Sequence, residues 1–131
     1  MERRFLWLGA LSACIAVAAG AFGAHALRDA VTADRLVVWE TAARYQMYHA
    51  LALLVVAYLA GQKSAGPARV SGWLFVAGTV LFSGSLYALT LTGITLLGAI
   101  TPLGGVAFLA GWLVLAWGVW RTSPPSQDER D

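Results

Sequence analysis

FLWLGALSACIAVAAGAFGAHAL, residues 5–27, is an unbroken apolar run that carries no Asp, Glu, Lys or Arg. Wound as an α-helix at about 1.5 Å per residue, a run of roughly 20 such residues crosses the ~30 Å hydrocarbon core of a bilayer. Moving outward from it, runs of the same kind extend from about Tyr45 to Gln62, from Val70 to Leu91 and from Pro102 to Trp120. Hydrophobic residues make up 59% of the 131 positions and charged residues only 12%. A soluble domain of this size would leave large apolar patches in water, whereas a bilayer takes the place of an apolar solvent. The expected fold is all-α: an integral membrane four-helix bundle, one domain over residues 1–120. Residues 121–131, with Pro124, Pro125 and a high density of charge, are expected to form a disordered cytoplasmic tail.

Charge sets the orientation. With four crossings, both termini and the middle loop share a side, which then holds Arg3, Arg4, Lys63, Arg69, Arg121 and Arg130 against Arg28, Arg35 and Arg44 opposite. That excess puts both termini in the cytoplasm of a multi-pass bacterial inner-membrane protein. Trp7, Tyr58, Trp73, Trp117 and Trp120 then fall near the inner interface and Trp39, Tyr45, Tyr48 and Tyr87 near the outer one, where amphipathic rings settle. The scattered cations, at a net charge of +2, point to no nucleic-acid partner. The single cysteine, Cys14, excludes an intrachain disulfide and a cysteine-rich metal site. Arg3-Arg4 ahead of an apolar run resembles a secretory signal, but the run exceeds the usual 7–15 residues, so an uncleaved span is expected. Leu11-Ser12-Ala13-Cys14 matches a lipidation motif, yet the residues after Cys14 stay apolar where a lipoprotein has a polar tether, and a buried apolar thiol is the simpler expectation.

Between the first two runs, residues 32–48 read as an amphipathic interfacial helix that continues into the second span. Leu36, Trp39, Ala43 and Met47 form its apolar stripe, Thr32 its N-cap, and Glu40 and Arg44 an i, i+4 pair. The last loop, 92–101, is short and uncharged, with Gly93 and Gly98 as flexible points. Ser12, Ala16, Gly20 and Ala24, four apart, give the small-residue pattern that lets helix backbones approach in lipid, and Ala107 and Gly111 repeat the spacing in the fourth span. The face serves packing within the chain or a homo-oligomer. Gly20→Leu is expected to disrupt it.

Chemistry has few places to reside. No Asp, Glu, Lys or Arg lies inside a span, which speaks against ion-coupled transport. His25 closes the first run and His49 opens the second, so both are expected at the same outer edge. Tyr45, Gln46 and Thr101 are expected to join them in one polar cluster. Several readings of that cluster stay open. Its members can make ordinary interhelical hydrogen bonds, worth about 0.6 kcal/mol each in membranes. They can line a pocket for a lipid, quinone or other small molecule. Two histidines fall short of a tetrahedral zinc set, and two axial haem ligands have to face one cavity. Ser83 and Ser85 are expected to bond to carbonyls or across helices rather than act as nucleophiles.

At these residues the chain resembles a known family. Gly23-Ala24-His25-Ala26-Leu27, Tyr45-Gln46 with His49-Ala50-Leu51-Ala52-Leu53, and Thr101-Pro102-Leu103-Gly104-Gly105 followed by Gly111-Trp112 are similar to the signatures of domain-of-unknown-function family 423, small membrane proteins related to the eukaryotic transmembrane protein 256. The resemblance covers nearly all of residues 1–120 and implies a bacterial inner-membrane protein of about four spans. It implies no reaction. The leading expectation is a non-enzymatic protein, without cofactor or metal, that binds a lipid-like ligand or a membrane-protein partner at its outer face through His25, Tyr45, Gln46, His49 and Thr101. The alternatives are a membrane-embedded enzyme or redox module using His25 and His49, and a small channel for neutral solutes.

Overall fold

A computed structural model describes residues 1–122. Arg130 and the rest of the expected tail beyond Thr122 lie outside the described residues. Helix α1 (Arg3–Phe22) runs on through a π-helical turn, Gly23–Leu27. Helix α2 spans Ala33–Leu59. Helix α3 (Ala65–Gly78) passes through a second π-turn, Thr79–Ser83, into α4 (Gly84–Thr92). A 3₁₀ turn, Thr95–Ala99, leads into α5 (Thr101–Thr122). No strand occurs among the described residues. The expected interfacial helix and second span are one uninterrupted α2. Thr32 caps it as expected, its hydroxyl accepting from the Arg35 N–H at 3.4 Å. Glu40 and Arg44 form no ion pair; among the described residues the ion pairs are Glu2–Arg69 at 2.8 Å and Arg28–Asp29 at 4.0 Å.

Among the described residues three stretches are long and apolar enough to cross a membrane: Arg3–Leu27, Ala65–Thr92 and Thr95–Thr122. Helix α2 is not among them. At 27 residues it is about 40 Å long, so its shortfall is composition: Gln46 and His49 dilute the expected second span, and Arg44 stands just before it. Yet α2 is the most enclosed helix, with ten buried positions, lying against α1, α3 and α4.

The packing follows a heptad rule. On α1 and the π-turn after it, the more buried stripe is Phe5, Gly9, Ser12, Ala16, Ala19 and Gly23, in alternating steps of four and three; on α2 the buried stripe is Trp39, Ala42, Gln46, His49, Leu53, Val56 and Ala60 just past its end. Steps averaging 3.5 residues keep one stripe facing an antiparallel neighbour. Helix α5 repeats the rule with Gly104, Phe108, Gly111, Leu115 and Gly118. These glycines are required by proximity: a Cβ on Gly111 would sit 2.6 Å from the Phe75 ring, and those on Gly104 and Gly118 would collide with Phe82 and Pro67. On α1 a Cβ on Gly9 would sit 2.8 Å from the Ala50 carbonyl oxygen.

This revises the expected packing stripe. Ser12 and Ala16 pack, but Gly20 and Ala24 are exposed, and a Cβ on Gly20 meets nothing within 4 Å. A spacing of four advances about 40° past a full turn at each step, so the stripe winds off α2. On α5, Gly111 packs deeply and Ala107 only partly. Gly93 ends α4 at φ +73°, a left-handed conformation that favours glycine, with the Arg35 guanidinium closing the space where a Cβ would go.

Candidate functional site

Helix α2 carries the polar side chains to the centre of the assembly. His49 is 4% exposed. Its Nδ1 lies 2.8 Å from the Tyr45 carbonyl oxygen and its Nε2 3.1 Å from the Trp112 indole nitrogen. An indole N–H only donates and a carbonyl only accepts. Nε2 therefore receives the Trp112 proton and Nδ1 carries its own to Tyr45. The ring lies flat on Phe108, centroids 3.5 Å apart at 5°, with Phe75 tilted at 5.3 Å. Both nitrogens are used inside the protein, so the imidazole has no free lone pair for a metal and no idle base.

Gln46, one turn earlier and 5% exposed, joins three helices. Its amide nitrogen donates to the Ser12 carbonyl at 3.2 Å and lies 3.4 Å from the Ser12 hydroxyl; its carbonyl accepts from the Tyr87 hydroxyl at 2.8 Å. The Tyr87 ring meets Trp39 at 4.6 Å, and the Trp39 indole donates to the Ala19 carbonyl at 2.8 Å. Trp39 and Tyr87, expected near the outer interface, are also bound into the helix contacts. Ser83 donates to the Ala42 carbonyl at 2.8 Å, across helices. Ser85 gives its proton to the Phe82 carbonyl at 2.9 Å, so in its 2.7 Å contact with Thr101 the threonine is the donor. The serines thus play the bonding role expected of them. Among the described residues one buried side-chain oxygen has no partner, Thr79 Oγ1, at the start of the second π-turn and lining a crevice of about 210 Å³ with Ser12 and Gln46.

The expected single cluster is divided. Helix α1 meets α2 with Gly9 at Ala50, Ser12 at Gln46 and Ala19 at Trp39. His49 is thus level with Gly9, and His25 lies 16 residues further along α1, about 24 Å away at 1.5 Å per residue. His25 is exposed, in the first π-turn, without a hydrogen bond or ring contact among the described residues. Thr101, at the start of α5, is taken up by Ser85. Tyr45, Gln46 and His49 remain together on α2, and only Tyr45 and His49 open onto a common cavity.

That cavity is a groove of about 420 Å³ between α2, the second π-turn and α5, walled by Tyr45, His49, Phe82, Phe108 and Trp112 and floored near Gly105. Tyr45 packs on Phe82 at 4.8 Å, and its hydroxyl has no hydrogen-bond partner among the described residues. Phe75, Phe82 and Phe108 are not among the expected site residues, and Trp112 enters the sequence analysis only through the family signature. Their signal was register: Phe75 and Phe82 are seven apart, and Phe108 and Trp112 stand at i, i+4, as Tyr45 and His49 do on the facing helix.

The profile of the family described as "Protein of unknown function (DUF423)" matches residues 19–105. The chain is 54% identical over 112 residues to the UPF0382 membrane protein YwdK of Bacillus subtilis, covering 85% of this chain and 91% of that one. It is 52% identical over 117 residues to a UPF0382 membrane protein of Staphylococcus saprophyticus, covering 89% and 97%, and 50% identical over 111 residues to one of Staphylococcus haemolyticus, covering 85% and 90%. No solved structure matches.

Proposed function

The chain belongs to the DUF423 family, and from that premise we propose that it is a four-span protein of the bacterial plasma membrane which holds a lipid-like molecule in the groove between Tyr45 and Trp112. In this reading α2 is the fourth crossing, and the bundle answers its buried polar side chains, Gln46 and His49, with hydrogen bonds from neighbouring residues. The antiparallel order of the helices brings Met1, Lys63 and Thr122 to one end, and the excess of Arg and Lys there supports a cytoplasmic position for that end. The groove then opens to lipid from the outer end of α5, at Pro102, to mid-depth, at Trp112.

The observation that carries the proposal is the double engagement of His49. With both ring nitrogens bonded to Tyr45 and Trp112, the groove offers a guest aromatic faces and one free hydroxyl, that of Tyr45. Such a surface suits an acyl or isoprenoid chain bearing a single hydrogen-bonding group, not a charged substrate. The same geometry argues against a redox module: His49 has no lone pair to give, and His25 lies too far along α1 to ligate the same group.

The groove can be filled without touching the core, because a Cβ on Gly105 meets nothing within 4 Å. Protein extracted with its surrounding lipid is expected to carry one lipid-like species enriched over the bulk membrane by mass spectrometry, and Gly105→Phe is expected to lose it while staying folded. A retained lipid profile identical to the bulk, or identical in Gly105→Phe, would reject the reading.

A further inference from the structure

The end of the molecule that holds Met1 and Lys63 carries a second, different cavity. Its cations are not equivalent. Arg69 is committed to Glu2, Nε to Oε2 at 2.8 Å. Arg121 lies over the Trp117 ring, 4.8 Å from its centroid. Arg3 and Arg4, both exposed, have no ion pair among the described residues. Below them, one turn along α1, stands Trp7, 65% exposed, and across from it on α3 stands Trp73, 53% exposed. Trp73 is fixed edge-on against the buried Phe5 ring, centroids 5.5 Å apart. Arg3, Arg4, Trp7, Leu8 and Trp73 line an open groove of about 530 Å³.

The order of chemistry along this groove is that of a phospholipid read from its head: two guanidiniums, then two indoles, then an aliphatic side chain. Guanidinium groups bind phosphate oxygens through paired N–H donors. Indole rings settle at the depth of the glycerol esters, and basic pockets beside membrane helices take anionic head groups. We propose that this groove is a binding site for one anionic phospholipid, its phosphodiester held by Arg3 and Arg4 and its glycerol and upper acyl chain by Trp7, Trp73 and Leu8. The site is separate from the groove at Tyr45, and its chemistry does not depend on which way the chain is oriented.

The test is a titration of the full chain in neutral detergent, read by native mass spectrometry, with phosphatidylglycerol and phosphatidylcholine of matched acyl chains. Two basic contacts at about a factor of five each give an expected preference of roughly twenty-five-fold for phosphatidylglycerol. The double variant Arg3→Gln/Arg4→Gln is expected to abolish the preference, and Arg121→Gln to leave it intact. Trp73→Leu changes no charge, so it leaves orientation and insertion alone, and is expected to weaken phosphatidylglycerol binding several-fold. Free glycerol phosphate at millimolar concentration is expected not to displace the lipid. Equal affinity for the two lipids, a preference that survives the double variant, or unchanged binding in Trp73→Leu overturns the proposal. Displacement by glycerol phosphate also overturns it, by showing a bare anion site. The Gly105→Phe variant reports only on the other groove, so the two proposals fail separately.

Discussion

His25 and His49 mark two kinds of place in this molecule. His49 stands on the heptad seam of α2, stacked on Phe108 and bonded through both nitrogens. His25 stands in a π-turn on the open flank of α1 with no partner among the described residues. The glycines divide in the same way. Gly104, Gly111 and Gly118 are pressed against neighbours, while Gly20 faces open space. Residue type says little about role here. What decides it is whether the position falls on a stripe of alternating steps of three and four.

The sharpest break between seam and flank is expected at glycine. Gly111→Leu drives a side chain into Phe75 and is expected to cost about 3 kcal/mol, seen as aggregation or loss of the monodisperse peak on size exclusion. Gln46→Leu comes next: three contacts to Ser12 and Tyr87 vanish, about 2 kcal/mol at the membrane average of ~0.6 each, read as a fall in Tm in detergent. His49→Phe keeps the stacked ring and loses two hydrogen bonds, so about 1 kcal/mol is expected by the same measurement. Gly20→Leu and His25→Ala, on the flank, are expected to shift stability by less than about 0.5 kcal/mol. If Gly20→Leu proves as damaging as Gly111→Leu, the seam has been misassigned.

Much of the fold was legible in the sequence. Phe5–Leu27 and Pro102–Trp120 read as long helices because their apolar runs are unbroken, and Thr32 read as a cap because a hydroxyl before an acidic first turn has one economical use. The register of the helices was not legible. Ser12, Ala16, Gly20 and Ala24 show a spacing of four, whereas Phe5, Gly9, Ser12, Ala16, Ala19 and Gly23 show the spacing that a close antiparallel neighbour selects, and nothing local to α1 announces that neighbour. The candidate site was half legible. Tyr45, Gln46 and His49 were found because polar groups in an apolar run need an answer. Hydropathy alone does not distinguish water from Tyr87 or Trp112 as that answer, so the residues were placed at the membrane edge and joined to His25 and Thr101.

The proposed groove at Tyr45 requires α2 to cross the membrane although it is the least apolar of the long helices. In a Cys14→Ser background, single cysteines at Asp29 and Lys63, the two ends of the segment that contains α2, can be tested in intact cells with a membrane-impermeant maleimide. Asp29→Cys is expected to react from outside, and Lys63→Cys only after the membrane is opened. Reaction of both from the same side would show that α2 does not cross, and with it the groove at Tyr45 would lose its place in the bilayer.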